Sequence, residues 1–205
     1  MYIGTVTDHY FSEKPATPAA ERDIDVTIRD RDYRVTTSAG VFSHDGVDRG
    51  TQVLFRYAPT PPAGGVALDL GCGWGPISLA LAAETEARII AVDINERARH
   101  LTRMNAERAG ATIEVLTPGE ALEIVTETGI TTLWSNPPVR IGKTALYELM
   151  ETWLAHLRGQ AHLVMSKNLG ADSFASWLQG NYDVARLGTA KGFRVLQVSP
   201  RQQSQ

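Results

Sequence analysis

The sequence predicts an α/β protein whose mostly parallel sheet is covered by helices on both faces. Three observations carry this. Short apolar runs suited to buried strands recur at Val66–Leu70, Arg88–Val92, Thr112–Leu116, Thr131–Trp134 and His162–Met165. Helical segments separate them, and that alternation builds parallel crossovers. Two more strand-like runs, Tyr182–Leu187 and Phe193–Val198, follow and bring the sheet to seven strands.

In chain order, residues 1–20 are polar and contain prolines, and are expected to lie on the surface. Ile24, Val26 and Ile28 alternate with Asp25, Thr27 and Arg29, the period of a half-buried strand. Asp30-Arg31-Asp32 is expected to turn the chain into a hairpin returning through Tyr33–Thr37. Gln52–Tyr57 reads as helix, and Thr60-Pro61-Pro62-Ala63-Gly64-Gly65 as a linker. A hairpin-and-helix extension over residues 1–60 is therefore expected to pack on a core over 61–205.

Within that core, Pro76–Ala83 is rich in Ala and Leu and reads as helix. Asn95 is a cap for a helix running to about Ala109, which Gly110 ends. A short helix is placed around Glu120–Glu127. Leu146, Leu149, Met150, Trp153, Leu154 and Leu157 fall on one helical stripe, with Gly159 as the expected stop. Phe174–Leu178 completes the helices.

Composition narrows the class. An apolar fraction of 43% over 205 residues suffices for a core and excludes wholesale disorder. One cysteine excludes a disulfide scaffold or a multi-cysteine metal site, and the five histidines lack metal-ligand spacing, so no metal is expected. No apolar run approaches the roughly 20 residues of a membrane helix. The N-terminal stretch, with Asp8 and Glu13, lacks the apolar core of a signal peptide, so a soluble cytoplasmic protein is expected. Net charge is −3, unlike a generic polyanion binder. The charge is uneven: residues 1–134 hold 12 basic and 19 acidic side chains, residues 135–205 hold 8 and 4. That split is either ordinary solvated surface or a C-terminal third that meets an anionic substrate.

The first core strand runs into Asp69-Leu70-Gly71-Cys72-Gly73-Trp74-Gly75. In an open α/β sheet, ligands bind beyond the carboxyl ends of the strands. Alternating glycines let a ligand lie against bare backbone, and the helix N-terminus that follows favours an anionic group. The dehydrogenase pattern G-x-G-x-x-G fails, because Pro76 stands at its third glycine. Gly142-Lys143-Thr144 mimics the end of a P-loop, but Pro137 stands where that motif begins. Asp93 closes the second strand, and its carboxylate can accept both hydroxyls of a ribose; the bland alternative is a helix cap.

These segments, with Val92-Asp93-Ile94-Asn95, resemble the motifs of class I S-adenosylmethionine-dependent methyltransferases. The resemblance implies the Rossmann-like methyltransferase sheet and S-adenosylmethionine as cofactor. It implies that Asp69, Gly71, Cys72, Gly73 and Gly75 face the methionine part, and that Asp93, with Ile94 beside it, holds the ribose. Cys72 reads as a small apolar filler of the loop, not a nucleophile. The acidic residue that often binds adenine in that family falls near Glu120, which is assigned that contact. Trp74 is expected to cover the cofactor or to pack on the hairpin, and Trp153 to be core.

Ser135-Asn136-Pro137-Pro138 follows the fourth strand. Two prolines fix φ and forbid helix directly after Asn136. A rigid Asn oxygen and a nearby carbonyl are two acceptors, the pair that a substrate –NH2 needs, and alignment supplies the catalysis. The plain alternative is an Asx-Pro turn. Asn-Pro-Pro resembles the turn of methyltransferases acting on exocyclic or amide nitrogens, which assigns Asn136 and the Pro137 carbonyl to the amine. Many of those carry an aromatic next, where this chain has Val139; Phe193 is the candidate replacement, or else a strand core residue.

Upstream, Gly40-Val41-Phe42-Ser43-His44-Asp45-Gly46-Val47-Asp48-Arg49-Gly50-Thr51 resembles the segment before the cofactor loop in the small methyltransferase domain of 16S ribosomal RNA guanine-N2 methyltransferases. His9-Tyr10-Phe11-Ser12 and the terminal Gly-Phe-Arg-Val-Leu extend the likeness over nearly the whole chain; the second, degenerate domain copy of the bacterial enzymes is not expected here. Thr51 is placed near the cofactor, and Pro138, Arg140, Lys143 and Phe193 with the substrate. The resemblance implies methyl transfer to an exocyclic base amino group of RNA, with guanine N2 of ribosomal RNA as the expected target. Alternatives are a protein amide or small-molecule acceptor, or a non-catalytic cofactor- or RNA-binding module.

Overall fold

The computed structural model describes residues 20–201; residues 1–19 and 202–205, and with them His9-Tyr10-Phe11-Ser12, lie outside the described part. Strands β1 (Glu21–Ile28) and β2 (Arg31–Ser38) form an antiparallel hairpin, Ile28 facing Arg31. The turn is two residues, Arg29 and Asp30, one position earlier than expected, and both adopt positive φ (45° and 64°). That backbone matches the twist of a tight hairpin but suits Asn-Gly better, so the sequence signal is weak. Arg29 is held there by its side chain, which donates to Phe55 O and Ala58 O (3.0 Å each), pairs with Glu84 and lies 5.4 Å from the Trp134 ring.

Helix α1 (Arg49–Tyr57) begins three residues before the expected start, because Asp48 caps it through Gly50 N–H and Thr51 N–H. The chain continues with β3 (Val66–Leu70), α2 (Pro76–Glu84), β4 (Arg88–Val92), α3 (Glu96–Arg108), β5 (Glu114–Leu116), α4 (Pro118–Thr128) and β6 (Ile130–Ser135). A 3-10 turn over Val139–Ile141 leads to α5 (Lys143–Leu154), then β7 (Leu157–Ser166), α6 (Ala171–Leu178), β8 (Tyr182–Ala190) and β9 (Phe193–Pro200).

The seven core strands make one sheet in the order β5-β4-β3-β6-β7-β9-β8. The first five run parallel, and β9 and β8 are antiparallel to their neighbours. Alternation along each strand feeds two apolar layers. Val66, Leu68 and Leu70 of β3 join Ala121, Met150, Trp153 and Phe174 under α4, α5 and α6. Ala67 points the other way, to Leu54, Leu79, Leu101 and Trp134 under α1, α2, α3 and the hairpin. Burial on both faces explains why these strands read as continuous apolar runs.

Two boundaries differ for packing reasons. The stripe ending at Leu157 crosses out of α5, which stops at Leu154, so Leu157 belongs to β7. Gly159 is not the helix stop. It lies within β7 against β6, where a Cβ would overlap the Thr131 carbonyl. The fourth helix starts at Pro118 because Thr117 and Glu120 form a capping box. No helix among the described residues is long and apolar enough to cross a membrane.

Candidate active site

The parallel strands bring the loops after β3, β4 and β6 to one sheet edge. Gly71 N–H and Cys72 N–H both donate to Val92 O (2.8 and 3.0 Å), which folds the glycine loop back over β4. Gly71 and Gly73 take φ of 82° and 59°, where L side chains are strained. A Cβ on Gly71 would meet nothing within 4 Å, and one on Gly73 only Phe42 O at 4.0 Å. The backbone there is bare and open. Gly75 shares the left-handed backbone (φ 98°), and in addition its missing Cβ faces Thr102 at 3.2 Å, where α2 packs on α3.

Asp93 braces this loop. Its Oδ2 accepts Gly73 N–H (3.0 Å) and its Oδ1 accepts Asn95 N–H (2.9 Å). Burial pushes its carboxyl above the ordinary carboxylate range, while those two N–H groups pull it back. The helix cap is Asn95, whose Oδ1 takes Arg97 N–H and Ala98 N–H, so Asp93 is free of that role. Ile94 is exposed at the rim beside it. Arg99 donates to the carbonyls of Asp93 and Ile94 (2.8 Å each) and fixes the turn.

Asp69 lies behind the loop, fully buried on β3. Its Oδ2 accepts Ser78 Oγ–H at 2.6 Å; its Oδ1 has no partner among the described residues. Burial first, and the Asp93 charge in addition, raise its pKa from 3.8 to about 7 despite the Ser78 bonds.

Two sequence assignments take different places. The Cys72 thiol turns inward to Ala91 and Val115 and accepts Thr102 Oγ–H (3.3 Å); burial raises its pKa well above 9.0, so it is no nucleophile. Glu120 is occupied as a cap: its Oε2 accepts Thr117 N–H (2.8 Å) and Thr117 Oγ–H (2.7 Å). That capping role competes with the expected adenine contact, and Thr-x-x-Glu before a helix is its readable signal. Trp74 is buried, packs with Ile28 and Val35 of the hairpin, and donates from Nε1 to Ser43 O (3.1 Å). Among the described residues no cluster suits a metal ion.

Asn136 directly follows β6, across the cleft from the glycine loop, and Thr51, Gly71, Gly73, Asp48 and Phe42 line the same cleft. Its Nδ2 donates to Asp48 Oδ2 (2.8 Å) and Thr51 Oγ1 (3.2 Å). Its oxygen is left without a protein donor among the described residues. Pro138 makes a tight turn (φ −75°, ψ 74°) that returns Val139 N–H to the Pro137 carbonyl at 2.8 Å. One lone pair of that carbonyl is therefore used and one remains. Phe193 is half-buried and reaches this site: a Cβ on Gly50 would lie 3.0 Å from its ring, 3.2 Å from Asn136 Nδ2 and 2.8 Å from Asp48 Oδ2. Sequence reasoning misses Asp48 and Gly50 as functional residues. Asp48 stands immediately before a helix, but only the fold shows what else its carboxylate meets.

The basic residues divide. Arg140 and Lys143 follow the Asn136 turn, Lys167 follows β7, and Lys191 sits in the β8–β9 turn, so all four are exposed at the edge that carries Asn136. Arg194 instead pairs with Asp172.

This edge, with a bare glycine loop braced by a strand-end aspartate and an Asn-Pro-Pro turn opposite, defines a Rossmann-like methyltransferase. The model of the methyltransferase small domain family matches residues 32–197, and the chain belongs to that family. It is an S-adenosylmethionine-dependent methyltransferase. The chain is 32% identical over 196 residues to the uncharacterized protein YbxB of Bacillus subtilis (strain 168), covering 93% of this chain and 98% of YbxB. It is 31% identical over 193 residues to ribosomal RNA small subunit methyltransferase C of Pseudomonas putida (strain F1), covering 91% of this chain and 56% of that one. It thus spans a little over half the length of the ribosomal relatives it matches. Its fold matches the T. thermophilus 16S rRNA N2 G1207 methyltransferase, solved with AdoMet and guanosine, at a TM-score of 0.78 and 24% identity, over 91% of this chain and 52% of that one.

The residues fit S-adenosylmethionine. Gly71 and Gly73 leave the space a Cβ would fill, the buried Asp69 Oδ1 lacks a donor among the described residues, and the Asp93 carboxylate can accept more bonds than the backbone N–H groups it holds.

Proposed function

We propose that the protein transfers a methyl group to an exocyclic amino group of an RNA base, with guanine N2 of ribosomal RNA as the target. The carrying observation is the Asn136 amide: its nitrogen end is held by Asp48 and Thr51, so its oxygen end is the one left to accept an N–H at the cleft. The remaining Pro137 lone pair is the second acceptor, and two acceptors fit one –NH2. S-adenosylmethionine, held by Asp69, Gly71, Gly73, Asp93 and Thr51 with Ile94 at the rim, supplies an electrophilic methyl group. Asn136 and Pro137 fix the amine so that its lone pair points along the line of displacement. The amine nitrogen would take the methyl group as that group's bond to the sulfonium sulfur breaks, and would then shed one proton to water. No strong base is needed.

Phe193 is the aromatic beside this amine, standing in for the side chain that Val139 does not provide. Arg140, Lys143 and Lys167, with Lys191, are placed to meet phosphates, and Pro138 holds the turn. The relatives named for ribosomal RNA methylation support the substrate class.

The test is transfer of labelled methyl from S-adenosylmethionine to unmodified 16S ribosomal RNA, followed by mass spectrometry of the nucleosides. N2-methylguanosine is the expected product. Label confined to protein or to small molecules would overturn the RNA reading, and binding of S-adenosylmethionine without transfer to any cellular RNA, protein or small molecule would overturn catalysis.

A further inference from the structure

We propose that Asp48 is a positioning residue: its carboxylate dictates which end of the Asn136 amide faces the substrate, and so makes the pocket select a nitrogen that carries hydrogens. The catalytic consequence rests on the function proposed above; the structural claim does not.

One oxygen, Asp48 Oδ2, collects three donors: Gly50 N–H at 2.6 Å, Thr51 N–H at 3.3 Å and Asn136 Nδ2–H at 2.8 Å. The first two are the duty of a helix cap. The third is not, since Asn136 lies 88 residues away, at the end of β6. An ionised carboxylate only accepts, whereas an amide has one accepting and one donating end. Were the Asn136 amide reversed, its oxygen would sit against Oδ2 and two acceptors would repel. The other neighbour, Thr51 Oγ1 at 3.2 Å, cannot decide the matter, because a hydroxyl can donate or accept. Asp48 alone therefore sets the direction.

Two further features support a built arrangement. Gly50 leaves no room for a Cβ between Asp48, Asn136 and Phe193, so the contact is closely packed on the α1 side. Asp48 is also fixed at the entrance of a helix whose far end is tied down by Arg29. The carboxylate thus cannot drift without uncapping α1. With the amide locked, the cleft presents an acceptor where the nucleophile binds. It favours an amino group and disfavours a carbonyl or an unprotonated ring nitrogen, which would leave that oxygen unpaired.

The experiment uses the full chain with Asp48→Ser, since Ser caps a helix well but is too short to reach Asn136. The first readout is the side-chain amide 1H–15N pair of Asn136, identified by its absence in Asn136→Ala and measured with S-adenosylmethionine present. In Asp48→Ser those signals are expected to move to the position of a free amide, while cofactor affinity changes by less than about three-fold. The second is single-turnover methyl transfer to unmodified 16S ribosomal RNA. Asp48→Ser is expected to lower it by about ten-fold or more, and Asp48→Asn by less. In the Asn136→Ala background, Asp48→Ser should change nothing further, because it acts through Asn136. Unmoved Asn136 amide signals would overturn the proposal, as would an equal loss of rate in both backgrounds. A wild-type protein that methylates no RNA would sink the proposed function, while the amide signals would still decide the role of Asp48.

Discussion

Asp93 Oδ2 accepts the Gly73 N–H at 3.0 Å, so the carboxylate at the end of β4 and the middle glycine of the loop after β3 form one rigid unit. Cofactor affinity should depend on that bond as well as on ribose contact. Asp93→Ala is expected to weaken S-adenosylmethionine binding by about 100-fold in calorimetry, whereas Asp93→Asn, which still accepts through one oxygen, should lose about ten-fold. An unchanged affinity in Asp93→Ala would remove Asp93 from the site.

Gly50→Ala should separate stability from activity. Ala is better than Gly in a helix by about 0.5–1 kcal/mol. Yet its Cβ would crowd Asp48 Oδ2, Asn136 Nδ2 and the Phe193 ring. The melting temperature is expected to stay within a few degrees of wild type while methyl transfer falls by about ten-fold or more.

Two buried groups should give opposite pH trends in stability. Asp69 holds its proton to about pH 7 in the folded chain, against 3.8 unfolded, so its contribution is greatest in acid and is lost as pH rises through that window. Burial lowers the His162 pKa from 6.5 to about 4, so the unfolded chain binds that proton first, and the contribution of His162 grows as pH rises from about 4 to 6.5. The two oppose each other across the shared range. Urea midpoints measured from pH 4.5 to 7.5 should therefore rise more steeply with pH in Asp69→Asn than in wild type, and less steeply in His162→Gln.

Glu120→Ala distinguishes a cap from a cofactor contact. The Thr117 hydrogen bonds hold the Glu120 carboxyl below its ordinary range, as a cap requires. Thermal unfolding should shift down and S-adenosylmethionine affinity should not change. A loss of affinity without loss of stability would instead support the adenine contact.

For the basic edge, replacing Lys143, Lys167 and Lys191 together with Ala should lower the slope of log affinity for RNA against log salt by about 0.7 for each phosphate no longer neutralised. Cofactor binding should be unaffected. An unaltered slope would mean that these cations do not meet the phosphates.

Much of the architecture is legible in the sequence because burial on both sheet faces leaves strands that read as apolar runs between helices. The glycine loop, Asp93 and the Asn-Pro-Pro turn are readable because each needs a residue type that few other settings demand. What escapes is of two kinds. Some local signals are present but are outweighed by a functional reading, as with the Thr117–Glu120 capping box. Long-range pairings have no local signal. Nothing near Asp48 in the chain announces Asn136, and nothing around Leu157 shows that the apolar period has passed from helix to strand. The hairpin turn falls one position away from its expected place because Arg29 owes its left-handed backbone to anchors in α1 and α2.

The segment from Ala39 to Asp48 ties the two halves of the chain together. Gly40 O takes a hydrogen bond from Asn95, Ser43 O takes one from Trp74, and Asp48 reaches Asn136. A chain cut near residue 60 would keep every strand of the large sheet, yet lose both the roof over its glycine turn and the clamp on its reacting amide. The working centre is thus shared property, and any chimera that exchanges one half without the other should inherit the scaffold and forfeit the chemistry.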